Sequence, residues 1–451
     1  MQRAVPDTIA AVATPPGAGG IGIVRISGGG VPELGSRLLG ALPPARRAVL
    51  CEFTAADGTL IDTGLALYFA APASFTGEAV LELHAHGGPV VLDLLLDRVL
   101  GLGARAARPG EFSERAFLNG KLDLLQAEAI ADLIESGTAQ AARAAARSLQ
   151  GAFSERVHDL VAQLTRLRMQ VEAAIDFPDE DIDWLTDAAL QQDLAGLRAA
   201  FGDLQDRAQQ GRLLRDGLTL VIAGQPNAGK SSLLNALSGR DSAIVTAIPG
   251  TTRDLLHEQI QLDGMPLHLV DTAGLHESTD PVEQAGMQRA RDALAGADHV
   301  LLVLDDQAGF TPADAAILAA LPAGVPHTCI HNKVDLSGRA PGAFAQDGQP
   351  ALALSLHTGA GLEDLHAHLR RAAGFTGTAA GEFSARRRHL DALARARAHV
   401  DEGIRQLERY HAGELLAEEL RAAQGALGEI TGEVSSDDLL GLIFSSFCIG
   451  K

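Results

Sequence analysis

Lysine is nearly missing from this chain of 451 residues. Of its 37 basic residues only Lys121, Lys230, Lys333 and Lys451 are lysines. Each survivor either marks a place where a compact ammonium is needed and a planar guanidinium will not serve, or reflects a codon bias. Cysteine is also scarce. Cys51, Cys329 and Cys448 form no CxxC and no even set, which argues against a disulfide framework and against a zinc site. Positive charge is in deficit. The formal net charge of −20 opposes non-specific binding to nucleic acid, so any RNA contact has to use local basic patches. Long apolar runs are missing too. No stretch of about 18 uninterrupted apolar residues occurs, and no charged region followed by a long apolar run opens the chain, so we expect a soluble cytoplasmic protein without membrane contact.

What is present starts from Gly224-Gln225-Pro226-Asn227-Ala228-Gly229-Lys230-Ser231, which fits Gly-x-x-x-x-Gly-Lys-Ser/Thr. A short apolar β-type run, Thr219 to Ala223, leads in, and a helical pattern from Ser232 to Leu237 leads out. Such a loop wraps a phosphate chain with backbone N–H groups and a helix N-terminus. Lys230 is expected to reach the β- and γ-phosphates, and the Ser231 hydroxyl to coordinate Mg²⁺. The length allows two or three domains.

Residues 1–118 read as α/β. Gly17 to Gly22 matches Gly-x-Gly-x-x-Gly, but Ile21 to Ile26 is β-like, so a strand–loop–strand connection is expected rather than a dinucleotide site. Ala79 to His84 alternates as a half-buried strand after Phe75-Thr76-Gly77-Glu78. His84 and His86 could ligate a metal, but no third ligand is evident. Residues 119–216 turn helical, with Leu122, Leu125, Ala129, Ile130 and Leu133 on one face and Val157, Leu160, Val161, Leu164, Leu167 and Val171 on another. Arg143, Arg147, Arg166 and Arg168 could touch RNA, though a solvated face is the commoner role of such residues. The acidic break Ile175 to Asp183 lacks calcium-loop spacing. Residues 217–376 alternate β-runs and helices around a largely parallel sheet, with Asp263-Gly264 as an antiparallel hairpin turn. Residues 377–451 are helical again, with Arg386-Arg387-Arg388-His389 as a basic cluster at the boundary and an apolar stretch from Leu439 to Ile449. Helical patterns on both sides suggest a nucleotide domain inserted into one helical domain.

Three further motifs choose the nucleotide. The strand Leu267 to Val270 runs into Asp271-Thr272-Ala273-Gly274, where a carboxylate would hold Mg²⁺ through water and the Gly274 N–H would sense the γ-phosphate. Between lies Thr246-Ala247-Ile248-Pro249-Gly250-Thr251-Thr252-Arg253-Asp254, where a threonine can close on Mg²⁺ and γ-phosphate only when GTP is bound. Asn332-Lys333-Val334-Asp335 follows a β-run. A carboxylate at Asp335 accepts from guanine N1–H and the 2-amino group, donors that adenine lacks, so GTP is selected over ATP. Ser355-Leu356-His357 occupies the place of a base-contacting loop. Leu275 stands where Ras-type switches hold the glutamine that orients the attacking water. Another group must do so. Glu283 is a candidate, with a solvated surface carboxylate as the alternative. Missing transition-state charge could come from Arg253, or from a monovalent cation held by the Asn227 side chain and carbonyls of the first switch.

The chain resembles the MnmE/TrmE family of bacterial tRNA-modification GTPases. The likeness rests on Thr14-Pro15-Pro16-Gly17, Phe75-Thr76-Gly77-Glu78, Phe117 to Asp123, Ile175-Asp176-Phe177-Pro178, Gly250 to Asp254 and the terminal Phe447-Cys448-Ile449-Gly450-Lys451. The resemblance implies an N-terminal α/β folate-binding domain related to tetrahydrofolate-dependent enzymes, a central helical domain and an inserted Ras-like P-loop GTPase domain. Matched by motif, Arg25, Glu82, Lys121 and Lys451 would contact a tetrahydrofolate derivative, in its 5-formyl or 5,10-methylene form. Asn227, Thr246, Ile248 and Thr251 would bind K⁺, and Ser231 and Thr252 would bind Mg²⁺. Glu283 would orient the water, and Cys448 would be either a one-carbon centre or a buried structural thiol. The GTP site would comprise Asn227 to Ser232, Thr246 to Thr252 with Ala247, Pro249 and Gly250, Asp271 to Gly274 with Thr272 and Ala273, Asn332, Lys333, Asp335, and Ser355 to His357. The implied assembly is a homodimer that joins the FAD-dependent MnmG in a heterotetramer or larger complex. Together they would install an aminomethyl-type group on C5 of the wobble uridine of certain tRNAs. Pro249, Leu356 and Gly120 depart from the usual residues of the family. The alternative is a ribosome-assembly GTPase, for which Pro249 to Asp254 suits equally well, although no basic RNA-binding module is visible.

Overall fold

The computed structural model describes residues 7–176, 188–240, 257–271, 297–321, 325–346, 348–375, 382–434, 436–447 and 450. The first unit comprises β1 (Ile9–Val12), β2 (Gly19–Ser27), α1 (Val31–Leu39), β3 (Ala48–Thr54), β4 (Leu60–Phe69), β5 (Val80–Gly87), α2 (Pro89–Gly101), β6 (Arg105–Ala106) and α3 (Glu111–Leu118). Its six strands form one sheet in the order β3-β4-β5-β2-β1-β6. Alternation along β5 buries Leu81, Leu83 and Ala85 under α1 and α2, and turns Glu82, His84 and His86 to the other face. The Gly17–Gly22 motif runs into β2, which pairs with β1 and β5. No helix starts there, so it lacks the N-terminus a pyrophosphate needs.

Four helices follow: α4 (Leu124–Glu135), α5 (Ala139–Leu149), α6 (Ala152–Asp176) and α7 (Ala188–Asp216). Asp123 caps α4, its carboxylate accepting from the Gln126 N–H while the Gln126 side chain accepts from the Asp123 N–H. The expected α4 stripe is displaced. Leu122 precedes the helix and Leu133 is 37% exposed, whereas Glu128 and Asp132 are buried. The α6 stripe holds except that Val161 is only half-buried.

The third unit holds β7 (Leu218–Gly224), α8 (Lys230–Arg240), β8 (His257–Leu262), β9 (Met265–Asp271), β10 (His299–Asp305), α9 (Pro312–Ala319), β11 (His327–Asn332), α10 (Val334–Ser337), β12 (Gly342–Gln346), β13 (Gln349–Ala353) and α11 (Leu362–Ala373). The strands order as β12-β13-β11-β10-β7-β9-β8, parallel at the centre with an antiparallel hairpin at each edge. One hairpin turns at Asp263-Gly264. Central strands buried on both faces read as unbroken apolar runs, as Val300 to Leu304 does.

The chain then forms α12 (Arg387–Tyr410), α13 (Gly413–Thr431) and α14 (Asp437–Ser445). The apolar stretch from Leu439 is therefore helical as far as Ser445. Leu393, Val400, Leu416 and Leu427 share one core with Val157, Leu164, Leu197 and Phe201, so segments on either side of the nucleotide unit bury a common face. Phe153 stacks on Phe383 at 4.3 Å. Of the basic cluster only Arg387 is exposed. Arg388 and His389 turn inward onto Glu128, while Arg386 meets Asp132 at 2.7 Å. Asp132 also receives Arg215 at 2.7 Å and the Ser384 hydroxyl at 3.0 Å. One carboxylate thus grips the chain where it enters the nucleotide unit and where it leaves.

Candidate guanine-nucleotide site

The loop after β7 is shaped by positions that only glycine can fill. Gly229 has φ +109°, and a Cβ there would lie 2.2 Å from the Asn332 amide nitrogen. Gly224 has φ +148° and would strike the Val303 carbonyl oxygen at 2.3 Å. Asn227 adopts φ +62°, with its side chain exposed. Ser231 and Ser232 lie in the first turn of α8, whose N-terminal N–H groups and dipole suit phosphate, and both serines are exposed. The Lys230 ammonium donates to the Gly224 and Gln225 carbonyls at 2.9 and 3.0 Å.

Asn332 ties the phosphate loop to the base loops. Its Nδ2 donates to the Ala228 carbonyl at 2.9 Å, and its Oδ1 accepts from the Leu356 N–H at 3.2 Å. The Ser355 hydroxyl donates to Asp335 Oδ1 at 2.6 Å and orients that carboxylate, which is otherwise exposed. His357 is exposed at the same loop. Lys333 takes φ +68°, and its ammonium reaches Asp305 at 2.7 Å. Asp271 ends β9 directly beside Ile222 of β7, the strand that leads into the phosphate loop.

Sequence reasoning missed two supports. Gln225 donates to Thr311 Oγ1 at 2.7 Å and to Asp314 Oδ1 at 2.9 Å, which pins the phosphate loop to the cap of α9. Thr311 and Asp314 form a reciprocal capping box, a pattern visible as Thr-x-x-Asp. The second support, Asp306, left no motif. Its acceptor role appears only once β10 and β11 are paired.

On the polar face of the first sheet, Arg25 Nε donates to Glu82 at 2.9 Å, and the guanidinium lies 5.9 and 5.8 Å from the Phe75 and Phe112 rings. Arg25 also donates to the Gly450 carbonyl at 3.3 Å, which brings the end of the chain to this face. Lys121 donates to the Pro72 carbonyl at 3.2 Å, at the base of the Phe75–Glu78 loop. That loop is fixed by Ser27 on Thr76 at 2.7 Å, Ser27 on Glu78 at 2.8 Å, Asn119 on the Thr76 carbonyl at 2.8 Å, and Arg115 on Glu78 at 3.1 Å. His84 faces Glu82 at 3.3 Å and His86 faces Asp62 at 2.9 Å. Among the described residues no group of three metal-ligating side chains forms, and no helix is long and apolar enough to cross a membrane. Cys51 is half-buried and Cys329 buried, both as free thiols.

Thr246, Ala247, Ile248, Pro249, Gly250, Thr251, Thr252, Arg253, Thr272, Ala273, Gly274, Glu283, Cys448 and Lys451 lie outside the described residues.

The chain is 57% identical over 450 residues to a tRNA modification GTPase MnmE of Yersinia pestis, and 60% identical over 445 residues to that of Methylococcus capsulatus, with 99% of each chain covered. The chain belongs to the MnmE family. The family model described as MnmE helical domain matches residues 124–448, and that described as GTP-binding protein TrmE N-terminus matches residues 8–121. Among solved structures, the G domain of Thermotoga maritima FeoB is 27% identical, covering 35% of this chain and 98% of that one at a TM-score of 0.27. Aquifex aeolicus Era bound to GDP and aluminium fluoride is 25% identical, covering 34% and 56% at a TM-score of 0.28. MnmE membership over the full length favours tRNA modification over the ribosome-assembly alternative.

Proposed function

We propose that this protein is a K⁺-stimulated GTP hydrolase that, with the flavoprotein MnmG, modifies C5 of the wobble uridine of certain tRNAs using a folate one-carbon unit. The observation that carries the GTPase reading is the Asn332 side chain, which joins the phosphate loop at Ala228 to the base loop at Leu356. Phosphate and guanine recognition are thereby held in one register. Lys230 and the α8 N-terminus would bind the phosphates, and Asp335, oriented by Ser355, would read the guanine edge. The Ser231 hydroxyl in the first turn of α8 and the neighbouring end of β9 at Asp271 fit a Mg²⁺ site, and Mg²⁺ there would neutralise phosphate charge. The exposed, left-handed Asn227 suits one K⁺ ligand, with Thr246, Ile248 and Thr251 as the others. Glu283 would orient the attacking water, and Arg253 would offset charge in the transition state.

The polar sheet face suits a flat, anionic pteridine-glutamate ligand. Arg25 supplies a cation between two aromatic rings, and Glu82 an acceptor. Lys121 and Lys451 would complete that site, with Cys448 as a further candidate. We divide the chain at 1–118, 119–216, 217–376 and 377–451, and expect a homodimer.

GTP turnover in KCl against NaCl at matched ionic strength tests this reading. Stimulation by K⁺ that Asn227→Ala abolishes, with turnover collapsing in Glu283→Ala, is the expected result. Equal turnover in both salts would withdraw the K⁺ site.

A further inference from the structure

We propose that Asp306 is a positioning residue that holds the guanine-reading segment Asn332–Asp335 from both of its ends. The inference rests on the GTPase reading and deepens it.

Asp306 follows β10, beside the end of β11. Its backbone N–H donates to the Asn332 carbonyl at 2.9 Å. Its side chain is 3% exposed. Oδ1 accepts from His331 Nδ1 at 2.8 Å and from Arg339 Nε at 2.9 Å, and Oδ2 accepts from the Ser337 hydroxyl at 2.5 Å. His331 immediately precedes the segment, and Ser337 and Arg339 follow it. One carboxylate therefore fastens both flanks. Burial pushes this carboxyl's pKa up, but hydrogen bonds from Ser337, His331 and Arg339 outweigh that and hold it below the ordinary carboxylate range.

The grip extends outward. The other ring nitrogen of His331 meets Gln346 Oε1 at 2.6 Å, and the Arg339 guanidinium lies 4.9 Å from the Phe344 ring. The β12–β13 edge hairpin thus becomes the wall against which the segment is braced. Bracing is needed because Lys333, between Asn332 and Asp335, occupies a left-handed backbone conformation that a side-chain-bearing residue resists. Asp305 adds a separate hold on the Lys333 ammonium. The two adjacent carboxylates act on different parts of the segment. Asp305 restrains the lysine side chain, and Asp306 restrains the backbone on either side.

Loosening the bracket should blur the register of Asp335 against the guanine 2-amino group. The Asp306 carboxylate bonds to the flanks of the guanine-reading segment and, among the described residues, to neither the phosphate loop nor Ser355 to His357, so chemistry on a fully bound nucleotide should be unaffected.

The test uses the full-length protein with Asp306→Asn, Asp306→Ala and Arg339→Ala. Arg339 is 45% exposed, so its removal keeps the question open if the Asp306 variants fold poorly. Equilibrium binding of GDP and IDP, which lacks the 2-amino group, is measured alongside steady-state GTP turnover and thermal melting. The expected result is a loss of GDP affinity of about tenfold in Asp306→Ala, the size of releasing a left-handed residue, and a smaller loss in Arg339→Ala. KM should rise with kcat within about twofold, and the GDP-to-IDP affinity ratio should fall. A merely structural role would leave that ratio unchanged. Folded variants with wild-type GDP affinity and an unchanged ratio, or a fall in kcat at unchanged KM, would overturn the proposal. A wild-type protein that binds no guanine nucleotide would instead sink the GTPase reading, and this inference with it.

Discussion

Replacing Glu128 with alanine should unfold the helical unit far more readily than any surface change. Glu128 is 1% exposed, and its carboxylate receives Arg388 Nε at 2.8 Å, Arg388 Nη2 at 2.6 Å and His389 Nε2 at 2.8 Å. Burial pushes this carboxyl up, but His389 and Arg388 outweigh that and hold it well below the usual range. The Arg386 N–H donates to His389 Nδ1 at 3.0 Å, so that nitrogen carries no proton and the ring is neutral. Burial lowers the His389 pKa in agreement. Removing the carboxylate leaves the buried His389 Nε2 without this acceptor and the half-buried Arg388 guanidinium, among the described residues, with the Glu429 and Ile430 carbonyls. Breaking a buried pair on one side costs about 3–5 kcal/mol. Replacing both partners with apolar residues of similar volume is often close to neutral. Urea unfolding followed by far-UV ellipticity, with and without GDP to separate the nucleotide unit's transition, measures both. We expect Glu128→Ala to lose about 3–5 kcal/mol and Glu128→Met with Arg388→Met to recover most of it. A loss below about 1 kcal/mol, the scale of an exposed pair, or a double variant as weak as the single one, would refute the reasoning.

Two further outcomes follow from the same geometry. Gly229→Ala forces a side chain into a left-handed residue and onto Asn332, costing about 1–2 kcal/mol for the backbone and about 1 for the lost Asn332–Ala228 bond. GDP binding should weaken roughly 30- to 150-fold while the helical unit melts unchanged; calorimetry showing less than a fivefold loss would contradict this. His299 is 6% exposed and its pKa is lowered by burial, and then by His368 and His327, to about 4. The unfolded chain therefore binds a proton near the ordinary histidine value of 6.5 that the fold rejects. Its contribution is complete above that pH and is lost as pH falls through about 4, at most about 3 kcal/mol. Urea midpoints of the nucleotide unit between pH 7.5 and 4.5 should fall in the wild type and flatten in His299→Gln; parallel slopes would count against the assignment.

The elements that sequence reasoning found are those with local causes. Gly224 to Ser231 reads as strand–loop–helix because its glycines and its apolar flanks act within one short segment, and β7 and α8 flank it as expected. Asp263-Gly264 likewise reads as a hairpin because the turn chemistry is local. What escaped depends on partners far along the chain. Leu133 looks inward by periodicity, yet Glu128 and Asp132 take the buried face of α4, since Arg386, Arg388 and His389 arrive from over 250 positions later to satisfy them. The same pairing draws Arg386, Arg388 and His389 of the basic cluster into an internal network and leaves Arg387 exposed. Gln225 and Asp306 escaped for the same reason, because their partners are set by the parallel order of β7, β10 and β11.

The most direct test of the account is nucleoside analysis of tRNA from a strain lacking this protein and carrying either the wild-type chain or Asp335→Asn. An amide at that position cannot accept both guanine donors, so the variant protein should fold, lose GTP binding and fail to restore the C5-modified wobble uridine that the wild type restores. Normal modification in the strain lacking the protein, or full restoration by a variant shown not to bind GTP, would contradict it.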